Sequence, residues 1–403
     1  MNCKPQAVCS VLLLCLAVTV KAQTTTQTNA EREYSILLGV ADEQQIYASV
    51  GLTANRILYD LYYQSIANHV PAKLQGFVET VWSINATFLC TMWPHDGGHW
   101  CRAQQAGGNF VITQFGYPFP VAEMHLSDDV AKHKNTLASI GGHEINYLMR
   151  RQVHMDYYVH QTAFADELIH AFIQDIFYPL YAFVITPADP EEASYWTDTR
   201  GDPVESVLSI FETFENRVAV AQDGTVDPVL VDQYREAICL SLIWPLLNPL
   251  FYQSLTAFNA DMQANYGQMP APKMYGKGAL TWSWGTHFHP SNLGYELYLD
   301  HYLRFREKLY VLSLKTGRPY RNNGFSIALP QLLISETFLL GLQIDYWDQD
   351  IYGTGGGLVF DARYNQPETF SFLLRTGWKT DGYQPGRRVD ESLLFLAGFV
   401  YRF

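Results

Sequence analysis

From Leu393 onward every second position is large or apolar: Leu393, Phe395, Ala397, Phe399, Tyr401 and Phe403. The intervening Leu394, Leu396, Gly398, Val400 and Arg402 are mixed and mostly smaller. A repeat of two sends successive side chains to opposite faces, so this segment reads as a strand with an apolar environment on one side and an interior on the other. The same repeat runs through 277–289, 292–305, 307–316, 323–330, Phe338 to Tyr346, Leu358 to Tyr364 and Phe370 to Leu374. Breaks fall at His289-Pro290-Ser291-Asn292, Thr316-Gly317-Arg318-Pro319, Asp348 to Gly357, Asn365-Gln366-Pro367 and Asp381 to Arg388. About eight antiparallel strands are expected after Pro272.

Ahead of Pro272 the spacing is helical, over Glu31 to Ala67, Gln75 to Gln105 with a break expected at Pro94, Ala131 to Thr186, Pro203 to Ala221, and Asp227 to Asn265. Asp227 before Pro228 has the form of an N-cap with proline at the first helical position. The apolar run Ala237 to Phe251 carries Ser241, Asn248 and prolines and is shorter than the ~20 residues a bilayer needs, so it reads as a buried helix. The fold class expected is α+β, with a mainly helical part over 23–270 and a strand part over 271–403.

The terminal strand, closed by Phe403 with Tyr401 two residues before, resembles the final strand of bacterial outer-membrane β-barrels, the strand their insertion machinery reads. The resemblance implies a small transmembrane β-barrel in the bacterial cell outer membrane. The helical part would lie in the periplasm, and the lipid bilayer and the barrel-insertion machinery would be partners. An even strand count returns both ends to the periplasmic side, so Asn365-Gln366-Pro367 reads as a short periplasmic turn and the stretches after Asp348 and Asp381 as external loops. An eight-stranded interior is filled by side chains, so the helical half is expected outside it. At the other end, Lys4, the apolar run Val8 to Val20 and the Val20-Lys21-Ala22 junction make residues 1–22 a secretory signal peptide. Its removal leaves 25 basic residues against 40 acidic, a net charge near −15, which weighs against a nucleic-acid partner. Cys90, Cys101 and Cys239 remain, too few for a disulfide scaffold, and are expected as buried thiols.

The chemistry concentrates in the helical half. His95 and His99 are four apart, so on a helix both imidazoles leave one face and can grip a single ion. With Asp96 after the first histidine, the stretch resembles the His-Glu-x-x-His helix of the zincin metallopeptidases with its glutamate shortened to aspartate. The resemblance implies Zn2+ held by His95 and His99, and Asp96 as the base that takes a proton from a water activated by the metal. In the glutamate-ligand branch the third ligand sits on a later helix, and Glu144 in Gly141-Gly142-His143-Glu144 is the match. His143 points about 100° away from Glu144 on a helix, so only one of the two binds easily. Gly97 and Gly98, at a helix cost of roughly 1 kcal/mol each, are expected to let another chain or a substrate approach. His143, His154, Tyr157 and His160 are candidates to orient a ligand or donate to an oxyanion. Glu167-Leu168-Ile169-His170 has the Glu-x-x-His spacing of di-iron bundles, but no second copy accompanies it.

The expected function is that of an outer-membrane-anchored zinc-dependent hydrolase, a metallopeptidase acting on a periplasmic protein or peptide. The alternative is a non-catalytic structural or assembly protein with an inert or structural metal site.

Overall fold

Alternation becomes strand, and three-four spacing becomes helix, across most of the chain. The computed structural model describes residues 33–39, 43–114, 121–125, 132–184, 189–197, 201–215, 217–262, 268–335, 337–364 and 369–402. The signal peptide expected over 1–22, the turn at Asn365-Gln366-Pro367 and the terminal Phe403 lie outside the described residues.

The helices are α1 (Gln44–Leu61), α2 (Gln75–Gln105), α3 (Lys132–His160), α4 (Ala165–Val184), α5 (Ala193–Thr197), α6 (Asp202–Phe214), α7 (Pro228–Ile243) and α8 (Pro249–Met262). Asp227 caps α7 as expected, its carboxylate accepting from the Val229 amide. Where a break was expected at Pro94, α2 continues through it as one helix. Proline removes the bond to the Cys90 carbonyl, and the bare Cα of Gly51 on α1 sits at that point: a Cβ there would stand 3.0 Å from the Cys90 oxygen. The packing of α1 thus supports a helix that its own sequence would interrupt. Cys90 and Cys101 are buried thiols, while Cys239, expected as a thiol too, is disulfide-bonded.

The strands are β1 (Glu33–Leu38), β2 (Asn109–Gln114), β3 (Val121–His125), β4 (Ala163–Phe164), β5 (Gln268–Met269), β6 (Tyr275–Lys277), β7 (Leu280–Ser291), β8 (Gly294–Phe305), β9 (Lys308–Pro319), β10 (Asn322–Ile334), β11 (Phe338–Gln349), β12 (Gly353–Tyr364), β13 (Phe370–Lys379) and β14 (Ser392–Arg402). The long strands β7 to β14 lie where the period-two runs do and pair as an antiparallel meander, with β6 beyond β7 and β1 beyond β14, ten strands in all. Among the described residues no pairing joins the two edges, so the sheet is open. β1 corrects the helical reading of Glu31 onward. The edge of β14 offers unpaired backbone groups, and β1 satisfies them in a register from Glu33 opposite Arg402 to Leu38 opposite Ala397. Gly353 to Gly357, read as loop, are also strand, paired with Asp345 to Gln349.

The sheet has two unlike faces. Along β14 Leu394, Leu396 and Val400 are fully buried, while Leu393 and Phe395 are 79% and 65% exposed. Trp282, Leu303, Phe325, Ile344, Phe360, Phe372 and Trp378 continue the exposed apolar face around the other strands. The opposite face is covered by helices: Tyr302, Leu309, Val311 and Ala328 share one apolar cluster with Ile145, Val153, Tyr157, Leu168 and Phe251. The expected exclusion of the helices from the sheet's inner side is therefore not what the packing gives, since α3 lies against it. At one end of α3, Tyr158 donates to Ser283 Oγ at 2.9 Å. Near its other end Lys134 pairs with Asp390 at 3.1 Å, at the rim that holds the β13–β14 connection. No single helix among the described residues is long and apolar enough to cross a membrane; the pair Pro228–Leu247 and Pro249–Ala257, bent by 79°, passes that test together.

Candidate metal centre

Four glycines decide how the histidines meet. Gly98 of α2 and Gly141 of α3 cross with backbone on backbone: a Cβ on Gly98 would stand 2.6 Å from the Gly141 carbonyl carbon, and one on Gly141 2.7 Å from that of Gly98. A Cβ on Gly142 would strike the His95 ring, 2.5 Å from Cδ2, and one on Gly97 would run into the Tyr47 ring, 2.9 Å from Cε1. The approach that Gly97 and Gly98 were expected to permit is thus that of α1 and α3, not of a substrate.

At this crossing His95 and His99 leave one face of α2, as their spacing requires, with ring centroids 4.9 Å apart. The group that meets them is Asp202, in the first turn of α6. Its Oδ2 lies 2.8 Å from His95 Nε2 and 3.1 Å from His99 Nε2, and the two Nε2 atoms are 3.2 Å apart. These three donor atoms lie within 4.8 Å of one another. His99 Nδ1 donates to the Ala138 carbonyl of α3 at 2.7 Å, which leaves Nε2 of the neutral ring as a lone pair aimed at the group. His143 joins from α3: its Nε2, buried and without a hydrogen-bond partner, is 3.9 Å from Asp202 Oδ2. Both histidines of α2 are nearly buried, whereas the Asp202 side chain is 23% exposed and marks the accessible side.

The electrostatics follow from this packing. Burial disfavours charge on His99, but the adjoining Asp202 carboxylate outweighs it and lifts the imidazole to about 9. Burial alone would raise the Asp202 carboxyl, yet His99 and His95 hold it well below its ordinary range. Burial, reinforced by His95 across the crossing, keeps His143 well below its ordinary value and therefore neutral. Asp96 is raised by burial, with His95 and His99 opposing, and its Oδ2 is buried without a partner.

The donor set fits a metal ion. Ligands about 2.0–2.1 Å from a tetrahedral zinc stand roughly 3.3 Å apart, and the observed separations of 2.8, 3.1 and 3.2 Å need only open by a few tenths of an ångström. An imidazole–carboxylate set also suits iron, copper or nickel, so the donors fix the class of ion rather than its identity.

Glu144, the expected third ligand, is elsewhere. Its fully buried carboxylate is taken by Arg102, through Nε at 2.6 Å and Nη2 at 2.5 Å, and by Gln44 Nε2 at 2.7 Å. The 100° step per residue that separates Glu144 from His143 turns the histidine, not the glutamate, toward the group. The remaining candidates lie farther along α3: at 1.5 Å per residue, His154, Tyr157 and His160 stand roughly 16, 21 and 25 Å beyond His143. His154 packs on the His287 ring, Tyr157 donates to the Pro270 carbonyl, and His160 faces Glu33 at 3.9 Å. Glu167 of the Glu-x-x-His stretch is bound by Arg56 at 2.6 Å. Sequence reasoning missed Asp202. Its one local signal was position, an aspartate just before Pro203 at a helix start, where a carboxylate is favoured by the helix dipole. No protein-family model, no curated protein and no solved structure matches this chain, so the functional reading rests on the geometry of the site and the sheet.

Proposed function

We propose that this chain is a metal-dependent hydrolase anchored in the bacterial outer membrane, with zinc held by His95, His99 and Asp202. The observation that carries the reading is the convergence of His95 Nε2, His99 Nε2 and Asp202 Oδ2 around one point, beside a neutral His143 whose Nε2 has no partner. When bound, zinc acts as a Lewis acid and brings the pKa of a coordinated water to ~7. The chain's own residues do the rest. Ala138 fixes the His99 tautomer, Phe110 stacks on the His99 ring with centroids 5.9 Å apart, and Phe177 closes on His95 at 5.4 Å. These apolar walls limit water to the Asp202 side. Asp96, with a carboxyl raised by burial and an oxygen not committed to any hydrogen bond, is the base that accepts the water proton and returns it to the leaving amine of a peptide.

The anchoring rests on the outward face of the sheet. Large apolar side chains exposed on strand after strand are unusual on proteins surrounded by water, and they alternate with a covered face as on a lipid-facing strand. With the long connection between Lys379 and Ser392 taken as an external loop, as in outer-membrane barrels, the rim joined to α3 through Lys134 and Asp390 faces outward. The substrate is then met at the exterior rim rather than in the periplasm.

A second reading is favoured by His143. If its Nε2, 3.9 Å from Asp202 Oδ2, completes a four-ligand shell, the ion is structural and no position is left for water. Peptide turnover by the detergent-extracted protein separates the two. In the hydrolase, Asp96→Asn keeps the metal and lowers turnover by about 10²–10⁴-fold. Metal retained in every preparation with no turnover of a peptide library by wild type, and no effect of Asp96→Asn, would establish the structural role instead.

A further inference from the structure

Between α1, α3 and the inner face of β10 to β13 lies a cavity of about 260 Å³, bordered along α3 from Leu148 to His160 and by Gln384 to Arg387 at the rim. None of His95, His99, His143 and Asp202 lines it. Its walls hold four arginines, Arg151, Arg363, Arg375 and Arg387, and three carboxylates, Glu33, Asp156 and Asp361. Each carboxylate already has an arginine: Glu33 has Arg363 at 2.8 Å, Asp361 has Arg375 at 2.6 Å, and Asp156 has Arg56 at 3.3 Å. Two guanidiniums are left. Arg151 makes no hydrogen bond or ion pair among the described residues, although Asp300 and Asp345 are near enough to be felt by it. Arg387 is only 3% exposed, yet neither its Nη1 nor its Nη2 has a partner. Glu43 and Asp345 are near enough to be felt by Arg387, but neither hydrogen-bonds it.

A buried guanidinium without an acceptor is a strongly unfavourable arrangement, and structures hold one where a ligand supplies the missing oxygens. Arginine presents paired N–H groups that match a carboxylate or phosphate. Leu52, Met155 and Leu342 line the same space and offer apolar contact for carbon next to that head group. We infer that this cavity is a binding site for a small organic anion, a carboxylate or phosphate head on a short carbon chain, received by Arg387 and Arg151.

The test is equilibrium dialysis of radiolabelled hexanoate against the full-length protein held in amphipol, with hexanol as the uncharged comparison and Arg387→Gln and Arg151→Gln as variants. Saturable hexanoate binding, at least tenfold weaker for hexanol and at least tenfold weaker in each variant, supports the site. Thermal unfolding without ligand keeps the test decisive: removing an unpaired buried charge leaves Arg387→Gln as stable as wild type or more so. No saturable hexanoate binding by wild type, or equal binding by Arg387→Gln, overturns the inference. So does a loss of ligand-free stability in Arg387→Gln, which would make the guanidinium a structural group.

Discussion

Substituting Gly98 by alanine tests whether the α2–α3 crossing sets the metal geometry. The added methyl would stand 2.6 Å from the Gly141 carbonyl carbon and 2.7 Å from Ile145 Cγ1. Carbon atoms settle at roughly 3.5–4.0 Å, so the helices must part by about 1 Å. The obstacle is largely backbone, which cannot swing aside, and overpacking of this kind costs about 1–3 kcal/mol. Alanine returns about 1 kcal/mol of helix propensity, and the net expectation is a loss of about 0–2 kcal/mol. Metal binding should suffer more specifically. His95 and His99 ride on α2, while the Ala138 carbonyl that orients His99 and the His143 ring ride on α3. A shift of this size is a third of the 2.7 Å and 2.8 Å contacts that hold the group together. Zinc affinity is expected to fall tenfold or more, equivalent to about 1.4 kcal/mol. Gly107→Ala is the control. Its Cβ meets nothing within 4 Å, but its φ of +80° strains any side chain, so it should lose stability and keep zinc affinity. Thermal unfolding followed by tryptophan fluorescence and competition with a chromogenic chelator supply the two readouts. A Gly98→Ala protein with wild-type stability and zinc affinity within twofold would refute the crossing as the positioning device.

Other outcomes follow from the same geometry. Glu144→Gln leaves the buried Arg102 guanidinium uncompensated and is expected to cost about 3–5 kcal/mol while retaining metal, measured by denaturant unfolding and metal content; loss of the ion in a still-folded variant would restore Glu144 as a ligand. The pH response has opposite signs with and without metal. In the empty site the His99–Asp202 pair is one interaction seen from both partners: with His99 raised to about 9 and Asp202 lowered, its stabilisation is in full force between the ordinary carboxylate range and about pH 6.5 and declines as pH rises through 9. Metal must displace the His99 proton, so apparent zinc affinity should climb from pH 6 to 9 over the interval in which the metal-free protein loses stability; an affinity flat across that interval would contradict the assignment of the proton. His143→Ala should weaken zinc by less than His95→Ala in a three-ligand catalytic site and abolish it in a four-ligand structural one.

The strands were legible because period two survives any tertiary context that keeps one face covered, and β7 to β14 fall on the alternating runs. β1 was not, because six residues cannot separate a repeat of two from one of 3.6, and its strand character comes from the vacant edge of β14. Pro94 misled for a related reason: the local rule says break, and the close seat of Gly51 on the Cys90 carbonyl overrides it. At the site, the pair His95 and His99 was visible since four residues on one helix is a purely local geometry. The third donor was not. Asp202 is more than a hundred residues away and meets the pair only through helix packing, whereas Glu144 was placed by analogy and is claimed by Arg102. Nothing in the spacing distinguished a carboxylate that binds a metal from one that neutralises a buried arginine.

Metal content of the detergent-extracted protein, by plasma mass spectrometry, tests the centre most directly when wild type is set beside His95→Ala, His99→Ala, Asp202→Ala and Glu144→Gln. One ion per chain in wild type and Glu144→Gln, and none in the other three, is the expected pattern. An ion that survives Asp202→Ala, or protein purified without chelator that carries no stoichiometric metal, would contradict it.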